Sequence, residues 1–186
     1  MGPTAMSAKP LGVGLLGLGT VGSAVARAFA DRQKRVDAAA GRPVRLLGAA
    51  VRDPRKARDA GGVRITKDPF EILDDPDIGA VIEVIGGHQP AFDLLFAAFE
   101  RGKHVVTANK EVVAKEWDTL HEAARLGHRE LRFEAAVGGA VPVVRGVMEL
   151  GAVRPRVLRG LLNGTTTYIC SRLETGVAFA DALREA

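Results

Sequence analysis

The stretch GLGTVG, residues 17–22, places glycines at 17, 19 and 22 directly ahead of a helical apolar pattern. In that spacing Gly17 permits a sharp turn, Gly19 lets a pyrophosphate approach bare backbone, and Gly22 lets the next helix pack close to the preceding strand. The start of that helix offers unpaired N–H groups and partial positive charge to phosphates. A lone glycine triplet is a weak signal, because a tight strand-to-helix turn uses the same residues. Here it follows a strand pattern, opens a helix pattern and precedes further alternating units. The stretch is therefore predicted to hold a dinucleotide.

The end of the second strand selects which dinucleotide. An acidic residue there binds the adenosine ribose diol, whereas an arginine accommodates a 2′-phosphate. The strand ends at Arg52, with Arg55 and Lys56 nearby, which favours NADP; Asp53 can also bind the diol, so NAD use stays open. Lys110, in TANK (107–110), lies just beyond the fifth strand pattern, where ligands of such sheets sit. Its ammonium can hydrogen-bond a substrate oxygen or relay a proton. As a plain residue at a helix start it opposes the helix dipole slightly, and that misfit favours a functional role.

FEAAVGGAV (133–141) joins Glu134 to a backbone bent at Gly138 and Gly139. A carboxylate with consecutive carbonyls can take a hard cation, though a glycine bend between domains explains the same pattern. NGTTT (163–167) puts hydroxyls at a helix start, where they cap the helix or contact substrate. His88, His104, His121 and His128 have no metal-ligand spacing; His88, after Gly86 and Gly87, reads as a surface residue near the cofactor turn. Cys170 falls mid-helix without an evident histidine partner and reads as structural.

These residues must be positioned by an alternation of short apolar runs and helical patterns. Strands are predicted at 11–17, 44–51, 62–66, 78–87, 103–109 and 130–137. The first helix carries Val21, Val25, Ala28 and Phe29 at the spacing of one buried face and extends through RQKRVDAAAGRP. Asp68 and Pro69 mark the start of a short helix, Pro90 and Gly102 bound another, and one helix runs through EVVAKEWDTLHEAARLG to Gly127. Continuous apolar strands alternating with helices imply an α/β fold, a doubly wound parallel sheet covered on both faces. A helix from Pro142, a strand over 156–162 and two further helices begin something new. The predicted division is a flexible leader (1–10), a nucleotide-binding-like unit (11–137) and the opening of a second domain (138–186).

The composition agrees with a globular protein: of 186 residues, 47% are hydrophobic and 26% charged. A net charge of +4 with 5% aromatic residues and no basic stripe is a poor nucleic-acid signature. One cysteine excludes an internal disulfide and fits a reducing, cytoplasmic setting. The first ten residues lack the apolar core of a signal peptide, and no run has transmembrane length, so no membrane partner is expected.

In this order and spacing GLGTVG, VRD, EVIGG, GKHVVTANK, FEAAVGGAVPVV and NGTTTYI resemble homoserine dehydrogenase, over nearly the whole chain from Leu11. The resemblance implies reduction of aspartate 4-semialdehyde to homoserine with NAD(P)H, on the route to threonine and methionine. It implies a Rossmann-type domain over 11–137 followed by the incomplete start of a mixed α/β substrate and dimerisation domain over 138–186, and hence a homodimer where that domain is complete. It places Gly17, Gly19, Thr20, Val21 and Gly22 on the pyrophosphate and Arg52 on the 2′-phosphate. Gly86, Thr107 and Lys110 would border nicotinamide and substrate, with Lys110 catalytic, and Gly164 and Thr165 would line the substrate pocket. A sodium ion would take Glu134, Val137, Gly139 and Val141.

Two departures stand out. Thr167 replaces the asparagine of the family's usual NGTTNY, and the family's acidic substrate residues and second catalytic lysine match nothing in this chain. A related NADP reductase of another semialdehyde, or a non-catalytic NADP-binding module, are the alternative readings.

Overall fold

Six short runs of aliphatic and β-branched residues pair into a single sheet in the computed structural model, which describes residues 9–56, 61–151, 153, 156–157, 159–160 and 163–186. The strands are β1 (Leu11–Leu16), β2 (Val44–Ala50), β3 (Arg64–Thr66), β4 (Ile78–Glu83), β5 (His104–Thr107) and β6 (Leu131–Arg132). Their order is β3-β2-β1-β4-β5-β6, and every neighbouring pair is parallel. From β1 the chain first builds outward through β2 and β3, then crosses over to β4 on the other side. The gap between the ends of β1 and β4 is thus the switch point where such sheets bind ligands.

Helices cover both faces: α1 (Thr20–Asp31), α2 (Gln33–Ala40), α3 (Phe70–Leu73), α4 (Ala91–Glu100), α5 (Lys110–Lys115) and α6 (Trp117–Leu126). Alternation along β1 sends Leu16 into a cluster with Ile72, Leu95, Phe99, Val112 and Leu120, and Leu15 into another with Ala26 and Ala49. Both leucines are fully buried, each side chain contributing about 1.5–3 kcal/mol by leaving water. Two sheet faces, each apolar, explain why the strands read as unbroken hydrophobic runs.

The chain divides into two compact units, Met1–Ala136 and Val137–Ala186. The second contains α7 (Val143–Glu149), α8 (Gly164–Glu174) and α9 (Phe179–Glu185). Asn163 caps α8, its side chain accepting from Thr166 N–H. Within this unit Glu185 joins α9 to α8 by accepting from Arg172 (2.7 Å) and from the Tyr168 hydroxyl (3.0 Å).

Several elements differ from the sequence expectation. The first helix does not run on: it stops at Asp31, and α2 starts anew after Arg32, whose φ of −123° is not helical. The long helix after TANK is likewise two, broken at Glu116. The sixth strand keeps only Leu131–Arg132, because its partner β5 ends at Thr107; Glu134–Ala136 coils into a 3₁₀ turn instead. The fourth strand ends at Glu83 and the fifth at Thr107, short of the predicted 87 and 109. Of the predicted apolar face Val21 is exposed, while Val25 and Phe29 pack against the core beside the buried Gly22 and Ala26. Cys170 is exposed on α8, which removes its reading as a packed structural residue. The predicted leader lies outside the described residues but for Lys9 and Pro10, and the strand expected at 156–162 lies partly outside them, with no pairing among those described.

Candidate functional site

The glycine turn joins β1 to α1 at the switch point. Gly17 has φ +98°, and a Cβ there would lie 2.9 Å from the Val84 carbonyl oxygen, just past the end of β4. A Cβ on Gly22 would lie 2.2 Å from the Gly17 carbonyl oxygen, so the third glycine lets α1 sit directly on the turn. Gly19 is different: nothing lies within 4 Å of its Cβ position. It is the N-cap of α1 and supplies no capping side chain, so no serine or aspartate oxygen at the cap engages the first N–H groups of the helix. An open cradle lined by helix-start donors is what a pyrophosphate requires. Thr20 and Val21, both exposed, flank it.

Arg52 follows β2 and is exposed, as are Arg55 and Lys56. Asp53 turns back on its own loop: its carboxylate accepts from Arg55 N–H at 3.0 Å and pairs with Arg55 Nε at 3.1 Å. Arg52 thus stands at the strand end beside an acid already engaged.

Beyond β4 and β5 lie two loops. Gly86 and Gly87 follow β4 with φ of +78° and +74° and with open space at both Cβ positions. Thr107 ends β5 fully buried, its hydroxyl donating to Glu83 Oε2 at 2.5 Å and accepting from Asn109 N–H at 2.9 Å. Asn109 caps α5 by accepting from Val112 N–H, and its amide donates to the Gly87 carbonyl at 2.7 Å. Lys110 is then the first residue of α5 and is exposed. His88 reaches across to Glu116 (2.7 Å) and stacks on Phe92.

Thus Gly17–Gly22, Arg52, Gly86, Thr107 and Lys110 all lie at the carboxyl ends of strands β1, β2, β4 and β5. The sequence reading missed Glu83, the fully buried last residue of β4. Its signal was present: a lone carboxylate inside IGAVIEVIGG, a run otherwise fit for a buried strand, must find hydrogen-bond donors.

The remaining candidates fall in or next to the second unit. Glu134 begins the 3₁₀ turn at the end of the first unit and is half-buried. In the second, Val137 is half-buried, Gly139 has φ +62°, and the Val141 carbonyl accepts from Val143 N–H at 2.8 Å. A carboxylate and backbone carbonyls are hard oxygen donors suited to an alkali cation. Gly164 and Thr165 form the exposed first turn of α8.

A parallel sheet in the order 3-2-1-4-5-6, with a glycine turn at its switch point, is the Rossmann-type nicotinamide dinucleotide-binding fold. Residues 17–134 match the family model described as homoserine dehydrogenase, NAD binding domain. The chain belongs to that family. It is 38% identical to the homoserine dehydrogenase of Neisseria gonorrhoeae over 96% of this chain and 42% of that protein. With the Mycobacterium tuberculosis homoserine dehydrogenase the identity is 41%, over 96% and 41%. The crystal structure of a homoserine dehydrogenase from Thiobacillus denitrificans superimposes with a TM-score of 0.88 at 43% identity, covering 96% of this chain and 42% of that one. The chain therefore spans 41–42% of the length of these relatives. Among the described residues no helix is long and apolar enough to cross a membrane.

Proposed function

We propose that this chain is the cofactor-binding part of a homoserine dehydrogenase that interconverts L-aspartate 4-semialdehyde and L-homoserine in threonine and methionine biosynthesis. The observation that carries this reading is the gathering of the open glycine turn, Gly86 and Lys110 at the carboxyl ends of β1, β4 and β5. The N–H groups at the start of α1 hold the pyrophosphate, with Gly17 and Gly22 keeping the turn close to the helix. Arg52 pairs with the 2′-phosphate and makes NADP the preferred cofactor over NAD. When bound, the cofactor supplies hydride to the aldehyde carbon or accepts it from the alcohol.

The Lys110 ammonium donates a hydrogen bond from Nζ to the reacting oxygen and stabilises the negative charge that develops there. Thr107, through its buried hydroxyl, fixes the loop that carries Lys110. Gly164 and Thr165 contact the substrate. Residues 11–137 and 138–186 act as cofactor domain and start of a substrate and dimerisation domain in a cytoplasmic homodimer, without nucleic-acid or membrane partners. Sodium is the cation taken by Glu134 and by the carbonyls of Val137, Gly139 and Val141. The family membership and the hard oxygen donors on these residues support the sodium reading.

Steady-state oxidation of homoserine with NADP by the whole protein tests the catalytic assignment. Lys110→Ala should lower kcat by about 100-fold or more while changing NADPH affinity less than about threefold. An unimpaired variant removes Lys110 from the mechanism. A whole protein that binds NADPH and never oxidises homoserine is a non-catalytic module.

A further inference from the structure

The cofactor site has two sides, and only one has an obvious fastening in the glycine turn. We infer that Glu83 is the positioning residue for the other, fixing the loops after β4 and β5 on which the nicotinamide end of the cofactor rests. This rests on the dinucleotide reading above. Glu83 sits in register between Leu16 of β1 and Thr107 of β5 and is fully buried. Its Oε1 accepts from Ile85 N–H at 2.7 Å and, at longer range, from Gly86 N–H (3.4 Å) and the Asn109 amide (3.5 Å). Its Oε2 accepts the Thr107 hydroxyl at 2.5 Å.

Every one of these side-chain hydrogen bonds comes from the two loops or the residue that ends β5. Through Thr107 the carboxylate also sets Asn109 N–H (2.9 Å), and through Asn109 the Gly87 carbonyl (2.7 Å). One acceptor-only group thereby orients Gly86–Gly87, which have no side chains of their own to hold them, and the residue before Lys110. Filling the strand end needs only an aliphatic residue, as at Val81 and Ile82 beside it. A carboxylate there incurs a desolvation cost that the collected hydrogen bonds offset, and what they define is loop position.

Glu83→Gln keeps the shape but not the chemistry. If the amide oxygen faces Ile85 and Gly86, its NH₂ meets the Thr107 hydroxyl and displaces that donor. Turned the other way, the NH₂ meets two backbone N–H groups. Either way the two loops lose the charged, acceptor-only group they share, and the Thr107 proton or the backbone N–H groups lose their acceptor.

The test compares two probes on the folded chain by calorimetric titration: NADPH, and 2′-phospho-ADP-ribose, which lacks the nicotinamide. Glu83→Gln should weaken NADPH by about tenfold or more while leaving 2′-phospho-ADP-ribose within about twofold. Thr107→Val should give the same split and Thr107→Ser, which keeps the hydroxyl, should restore NADPH binding; this pair carries the test if Glu83→Gln fails to fold. Amide hydrogen exchange should speed up at Ile85, Gly86 and Asn109 in Glu83→Gln, with Leu15 and Val81 staying protected. Equal losses for both probes, or none, overturn the inference alone. A folded wild-type chain that binds neither probe overturns the cofactor reading and this inference with it.

Discussion

The carboxylate of Asp37 accepts the backbone N–H of Val44 at 2.8 Å and so fastens α2 to the first residue of β2. Gln33 adds a bond to the same carboxylate and one to the Val44 carbonyl, both at 2.7 Å, and Arg45 pairs with Asp37 at 2.9 Å. The Val44 N–H bond, helped by Arg45 and Gln33 and opposed by partial burial, holds the Asp37 carboxyl below its ordinary value of 3.8. A carboxyl depressed in the folded state adds stability that is present above the unfolded value and lost as pH falls through the folded one. The melting temperature should therefore fall as pH drops below 3.8, and Asp37→Asn should flatten that fall while lowering the melting temperature at neutral pH. Thermal melts across the acid range check this; parallel curves for the two proteins count against it.

Arg52, the proposed partner of a 2′-phosphate, follows β2, while Asp53 is occupied by Arg55. Arg52→Ala should weaken NADPH by about tenfold or more and leave NADH within about twofold, since only NADPH gives the guanidinium a phosphate to pair with. Equal losses for both cofactors in titration would remove the assignment.

Glu134 is the one side-chain carboxylate among the residues read as cation ligands. If sodium binds the folded chain, it raises the melting temperature by linkage relative to a bulky organic cation at equal ionic strength. Glu134→Gln should abolish that difference. Identical melts of the wild-type protein in the two cations would leave Glu134 a structural residue.

The glycine turn, the parallel sheet and the placement of TANK were legible because each is local: period, punctuation and glycine spacing all lie within a few residues. What was not legible depends on contacts distant in sequence. EVVAKEWDTLHEAARL keeps one helical pattern throughout, yet the helix breaks at Glu116, which is paired with His88, 28 residues away. The sixth strand has strand-like residues to Val137 but runs out of partner, because Asn109 has already capped α5 on the neighbouring chain segment. Val21 fits an apolar stripe by spacing, but the first turn of α1 lies at the open end of the sheet. Glu83 belongs to the same class. A lone carboxylate in a buried run signals a need for donors, but Thr107 and Asn109, 24 and 26 residues away, are identified as those donors only by the fold.

The central claim is that the switch point between β1 and β4 holds the cofactor pyrophosphate, and Gly19 tests it most directly. Its Cβ position is open and its φ is negative, so a Cβ in Gly19→Val meets no atom of the turn. The loss at the helix cap should be about 1 kcal/mol or less, and melting should stay cooperative. The added side chain occupies the space in front of the helix-start N–H groups. Calorimetric titration of NADPH should show single-site binding to the wild-type chain and none to folded Gly19→Val. Wild-type affinity in the variant, or no binding by the folded wild-type chain, would contradict the account.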